Sequence, residues 1–162
     1  MSGDIFLKLD GVKGESQKDG HKDEMEVETF SWGESNPTSF AQGGGGGVGK
    51  VSIQDVHFTK AIDKASVNLY QFCANGKHIK DAVFTFRKAG ETPQDYLKVT
   101  LNDVMVSSVS LQDHSGGAQL ANDSVSLAYA KVKMEYAAQS AKGDVGGSLP
   151  FGWDIAEHKP AQ

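Results

Sequence analysis

The chain has a single cysteine, a single arginine and no apolar run long enough to cross a bilayer as a helix. Each scarcity removes a class of protein. One cysteine, Cys73, cannot build an intrachain disulfide framework and fits synthesis in a reducing compartment. One arginine, Arg87, leaves almost no means of clamping phosphates through paired guanidinium bonds. With a formal net charge of −5, this argues against non-specific binding to nucleic acid or to an anionic membrane, and the lack of a long apolar run argues against membrane insertion. The N-terminal MSGDIFLKLDG places an acid at position 4 and interrupts its apolar run. No cleavable signal peptide is expected, so any export takes another route.

The spacings that carry catalysis or metal binding are missing as well. Histidines at 21, 57, 78, 114 and 158 are scattered, with no H-x-x-x-H pair and no Cys-His spacing, and read as solvated or hydrogen-bonded structural residues. The acids at 19, 23, 24, 26 and 28 lack the D-x-D-x-D-G register of a calcium loop. No serine lies in G-x-S-x-G, and Cys73, between Phe72 and Ala74, reads as a small buried hydrophobe. Trp32 and Trp153 read as core anchors. The sequence therefore predicts no catalytic, cofactor-binding or metal-binding residues, and a protein that is not an enzyme.

What is abundant is glycine, with 19 among 162 residues. At 42–51 the chain reads QGGGGGVGKV, in which Gly44, Gly49 and Lys50 fit the letters of a phosphate-binding loop, G-x-x-x-x-G-K. The chemistry needs Ser or Thr after the lysine to hold Mg²⁺, a buried strand before the loop and a helix after it. Here Val51 follows Lys50, the lead-in SWGESNPTSFAQ is polar, and VSIQDVHF alternates as a strand does. The nucleotide reading fails on each point.

Length and composition (38% hydrophobic, 23% charged) suit one globular domain with a substantial core. Period-two alternation predicts strands at 4–9, 25–32, 51–58, 82–88, 96–111 and 125–136, and a short aromatic strand near 151–155. The apolar residues of 62–74 recur at three and four, predicting one helix with Val67, Leu69, Tyr70, Cys73 and Ala74 on its packed stripe. Asp63 or Ser66 would cap its start, and Asn75-Gly76 would end it. In 96–111 the apolar parity slips twice, predicting bulges or bends near 102–103 and 107–108. Residues 33–49 form a long Gly/Ser/Asn/Pro segment without periodicity, which in a compact domain is functional or mobile. Seven or eight strands with one helix indicate a mainly β chain folded as a closed or nearly closed antiparallel barrel.

Several phrases keep one order along the chain: GVKGES at 11–16, SWG at 31–33, the glycine run ending in GKVSIQDVHFTK, ASVNLYQFCANGKHI, FRKAG at 86–90, DVMVSSVS at 103–110 and FGWDI at 151–155. Together, over about residues 4–155, they resemble the Hcp family (haemolysin-coregulated protein), the tube subunit of bacterial type VI secretion systems. The departures are of surface type, in QDHSGGAQLANDS at 112–124 and in the tail after 155.

The resemblance implies an antiparallel β-barrel with one short α-helix and a long extended loop, forming a single domain over 1–162 with a polar tail at 156–162. It implies a homo-hexamer whose rings stack into a tube, with a contractile sheath, spike and baseplate proteins and effector proteins as partners. Such a protein is cytoplasmic when made and is then secreted without a cleavable signal. The loop at 33–50 would reach onto the adjacent subunit, making Gly43, Gly44, Gly45, Gly46, Gly47 and Gly49 the candidate subunit-interface residues. There glycine lets backbone lie close to a neighbour. By alternation Phe30 and Trp32 face the core, so Thr29, Ser31 and Gly33 point away. In a ring, Ser31 is the candidate for the lumen face that meets cargo. The alternative reading is a monomeric barrel that binds a small apolar ligand, which needs an interior larger than its own side chains fill.

Overall fold

The structure, a computed structural model, describes residues 3–39, 47–117, 119–139 and 145–161. Among them the strands are β1 (Asp4–Leu9), β2 (Met25–Val27), β3 (Thr29–Ser31), β4 (Glu34–Ser35), β5 (Thr38–Ser39), β6 (Gly47–Val48), β7 (Ser52–Ile53) and β8 (Val56–Ala61). Helix α1 (Lys64–Asn75) follows, then β9 (Ile79–Lys88), β10 (Gln94–Gln112), β11 (Asn122–Gln139), β12 (Val145–Asp154) and β13 (Lys159–Pro160).

Antiparallel ladders link β2 to β1, β1 to β9, β9 to β10, β10 to β11, β11 to β8 and β8 to β3. Since β3 follows β2 after one residue, Glu28, these pairings trace a circuit back to their start. The strand expected over 25–32 is therefore two short strands. Glu28 donates its amide to Thr59 O at 2.7 Å, and at that point the chain exchanges β1 for β8 as partner. β12 continues the sheet along the far half of β11 and pairs with β13.

Side chains fill the space inside the circuit. Leu7, Met25, Val56, Phe84, Leu101 and Leu127 are fully buried, and Phe58 meets Phe84 edge to face at 5.5 Å. Among the described residues these side chains fill the interior, which weighs against the small-ligand reading. Phe6 lies on the other face of β1 yet is also fully buried, because His21 stacks on it at 4.3 Å.

Both parity slips in β10 occur where alternation placed them, by different means. Near 107 the register against β11 shifts between Val106 and Ser108, a bulge. Near 103 the register is kept, but Asp103 adopts a left-handed φ of 53°. The facing strand changes parity at the same level, from buried Tyr129 to buried Val132. Both strands bend together there, and Ile155 N donates to the Ala130 carbonyl at 2.9 Å.

Helix α1 begins at Lys64, two residues later than the periodicity implies, because Asp63 and Ser66 both cap it. Asp63 accepts from Ala65 N at 2.9 Å, and Ser66 Oγ accepts from Asp63 N at 3.0 Å. Gly76 ends it at φ 65°, a conformation glycine adopts without steric cost. The packed stripe differs from expectation: Ala65, Ser66 and Leu69 are buried, whereas Val67 is 72% exposed. Phe72 and Cys73 pack partly against the core. Trp32 and Trp153 are half-buried against that core, as anchors should be.

The described parts of the segment, 33–39 and 47–50, hold more regular structure than their composition implies. β4 pairs with β7 and β5 with β6, so the chain leaves the barrel and returns as a two-stranded ribbon. The strand expected at 51–58 is correspondingly broken. Its first part belongs to the ribbon, and its second, β8, runs on to Ala61.

Candidate functional site

Two features stand out on the barrel exterior: a face of small polar side chains and the stem of the ribbon. The face is built by register. Ser31 lies opposite His57, His57 opposite Ser126 and Ser126 opposite Ser108, forming a row across β3, β8, β11 and β10. Two residues along each strand, Thr29, Thr59, Ser124 and Ser110 form a second row. Alternation puts these residues outward because Phe30, Phe58 and Val125, their chain neighbours, turn toward the core. Thr29, Ser31, His57, Ser108 and Ser110 are exposed, in agreement with the outward direction expected for Thr29 and Ser31, whereas Thr59 and Ser124 are half-buried and Ser126 is buried.

Hydrogen bonds knit the face from strand to strand. The Thr29 and Thr59 hydroxyls are 2.6 Å apart, and His57 Nδ1 is 2.5 Å from Ser126 Oγ. At the rim Ser107 donates to Asp55 Oδ2 at 2.8 Å. The result is a surface rich in groups that can both donate and accept, with short side chains and little charge.

The ribbon stem is held from three directions. Gln54 N donates to Gly33 O at 3.0 Å, closing the base, and Glu34 pairs with Ile53 just beyond. Trp32 Nε1 donates to the Tyr129 hydroxyl, which donates to Gln54 O at 2.7 Å. One phenol on β11 thus bonds the residues flanking both roots of the ribbon. Burial pushes the Tyr129 phenol up to about 12; the Trp32 bond opposes this, and the carboxylates of Asp55 and Glu34 add to it. The hydroxyl accordingly keeps its proton, and with it the bond to Gln54.

Of the candidate glycines, Gly43, Gly44, Gly45 and Gly46 lie outside the described residues. Gly47 is in β6. Gly49 sits against Pro37 across the ribbon: a Cβ there would collide with the Pro37 carbonyl oxygen and lie 2.7 Å from Pro37 Cγ. Its glycine is required by close approach within the chain. The letters of the phosphate loop find none of their context, since extended β7 follows Lys50 where a helix would have to begin.

Sequence reasoning singled out Ser31 but missed its partners. Hydroxyls at alternate positions of SVS at 108–110 and SVS at 124–126 were the available signal. Their convergence on Ser31 depends on register, which alternation leaves open. Tyr129 was missed because its role needs two segments distant in sequence.

The comparisons agree with this geometry. The family model described as "Type VI secretion system effector, Hcp" matches residues 6–136. The protein hcp1 of Pseudomonas aeruginosa is 45% identical, over 99% of this chain and the whole of that protein. A crystal structure of Hcp1 from Salmonella typhimurium superposes with a TM-score of 0.81 at 38% identity, covering 99% of this chain and all of that one. A structure described as a type six secretion system protein superposes with a TM-score of 0.94 at 30% identity, with the same coverage. Sequence and overall fold thus match along nearly the whole length, and on that footing this chain is a member of the Hcp family of type VI secretion proteins.

Proposed function

We propose that the chain is the structural tube subunit of a type VI secretion system, forming hexameric rings that stack into the injected tube and carry effector proteins. The whole chain acts as one domain, is made in the cytoplasm and is secreted without a cleavable signal. It works with a contractile sheath and with spike and baseplate proteins, and it catalyses no reaction. The loop at 33–50 extends onto the adjacent subunit, with Gly43–Gly47 and Gly49 at that contact. Ser31 lies on the channel wall.

The observation that carries this reading is the face headed by Ser31. A conduit for varied proteins must wet them without gripping any one, and two rows of Ser, Thr and His on a stiff sheet supply such a wall. Short hydroxyls bond to any polar surface and present no apolar patch to trap a passenger. The test is twofold. Light scattering on the native protein should report a hexamer mass, and a monomer mass would overturn the ring. Ser31→Glu should keep the ring but lower the effector that co-purifies with it, and unchanged effector would remove Ser31 from the wall.

A further inference from the structure

We propose that His57 is the specificity-determining residue of this face, giving a hydroxyl-lined cargo surface one position that takes a carboxylate, and takes it more tightly in mild acid than in mild alkali. The inference rests on the reading of the face as the cargo wall.

His57 lies within the first row, with Ser31 on one flank and Ser126 on the other. Its ring is exposed but not free to swing, because Nδ1 is 2.5 Å from Ser126 Oγ. The residue is exposed, and among the described residues Nε2 has no hydrogen-bond partner. The serine hydroxyl can donate to a neutral imidazole or accept from a protonated one. Gaining a proton therefore costs the ring no existing bond, and it converts Nε2 into a charged donor.

The surroundings make this group the discriminating one. From β3, β11 and β10 the side chains facing His57 are Ser31, Thr29, Ser126, Ser124, Ser108 and Ser110, none of which titrates in the physiological range. Immediately before β8 the acid of this face is Asp55, and its carboxylate already accepts from Ser107. The hydroxyls bond to either sign of charge. A protonated imidazole can only donate, and it prefers a carboxylate. Histidine is the side chain whose charge ordinarily changes between about pH 5 and 8, which makes pH the variable to test.

The experiment uses the full chain and measures fluorescence anisotropy with labelled oligoglutamate and oligoserine peptides at about pH 6 and about pH 8. We expect oligoglutamate to bind wild type about threefold to fivefold more tightly in acid, as suits an exposed ion pair. Oligoserine should bind alike at both. Acid also makes the whole chain less negative, so His57→Ser serves as the control for that general effect. It should lose the excess acid preference. A wild-type pH ratio in His57→Ser, or no acid preference in wild type, overturns the proposal. Ser31→Glu separates this inference from the one beneath it. If Ser31→Glu abolishes oligoglutamate binding while His57→Ser keeps the wild-type ratio, the wall stands and His57 is not its selector. If neither substitution alters binding, the wall fails with it.

Discussion

The Lys60 ammonium lies 3.0 Å from an Asp123 carboxylate oxygen, and neither side chain is exposed to solvent. The two residues face each other across β8 and β11. Lys60 also donates to Asp63 Oδ1 at 2.8 Å and to Ser66 Oγ at 2.9 Å, and Ser66 donates to Asp123. The cap of α1 and the β8–β11 ladder are thereby one polar cluster. Removing Asp123 takes from the buried Lys60 one of its two carboxylate partners and from Ser66 its acceptor, so Asp123→Ala should destabilise the fold by about 1–3 kcal/mol. Lys60→Met should cost more, about 3–5 kcal/mol, since it removes the cation paired with both Asp63 and the fully buried Asp123. Urea unfolding of each variant is the measurement, and a loss below about 1 kcal/mol would show that the cluster is not a structural tie.

Asp95 links acid stability to a second cluster. It accepts from Arg87 Nε at 2.8 Å and lies 3.0 Å from His21 Nε2, while His21 Nδ1 is 2.5 Å from Glu24. Burial alone would raise its pKa, but the hydrogen bonds and charges of Arg87 and His21 hold it below its ordinary 3.8. A depressed carboxylate contributes stability that is full above its unfolded value and is lost as pH falls through the folded one. The stability gap between wild type and Asp95→Asn should therefore be constant down to about pH 4 and close below it. Urea midpoints across that range decide the matter, and a gap that persists or widens in acid would contradict the sign.

How much of this was legible beforehand depended on the range of the interaction. The caps of α1 were readable because Asp63, Ser66 and Gly76 act on backbone within a turn of themselves. The bends in β10 were readable because parity is a local property, although only coordinates distinguish the bulge at 107 from the left-handed Asp103. The break at Glu28 was not legible, since it follows from the amide bond to Thr59 across the barrel. Nor was the break before Val56, where Gln54 bonds Gly33 and Tyr129 instead of continuing a strand. The face around Ser31 fell between these cases: its outward direction could be read, but not the residues beside it.

Tyr129→Phe tests whether one hydroxyl fixes the ribbon. The substitution keeps the ring but leaves Trp32 Nε1 and Gln54 O without their partner, which should cost about 1–3 kcal/mol. The loosening should be local. Hydrogen exchange at the Gln54 amide, which bonds Gly33 O, should accelerate while the β9 and β10 amides keep their protection. Acceleration spread evenly over the barrel would mean that Tyr129 supports the core in general rather than the stem in particular.

The glycines of the ribbon should not be equivalent, and Gly49→Ala is the sharpest case. A methyl group at 49 meets the Pro37 carbonyl and ring, both fixed by the facing strand of the ribbon, so relief requires the two chains to part. Overpacking of this kind costs about 1–3 kcal/mol, drawn from the ribbon because the barrel lies outside the contact. Gly90→Ala is the matched control, since a Cβ at 90 meets nothing within 4 Å. If the ribbon joins neighbouring subunits, Gly49→Ala should lower the concentration range over which rings survive dilution, with the monomer still folded by circular dichroism. Deleting 43–47 should do the same and more strongly, because it shortens the reach of the arm without touching the core. Light scattering behind size exclusion reads all three proteins. Rings as persistent as wild type in both Gly49→Ala and the deletion would show that the ribbon does not hold the subunits together, whereas a loss confined to those two, with Gly90→Ala unchanged, places the assembly contact on the arm.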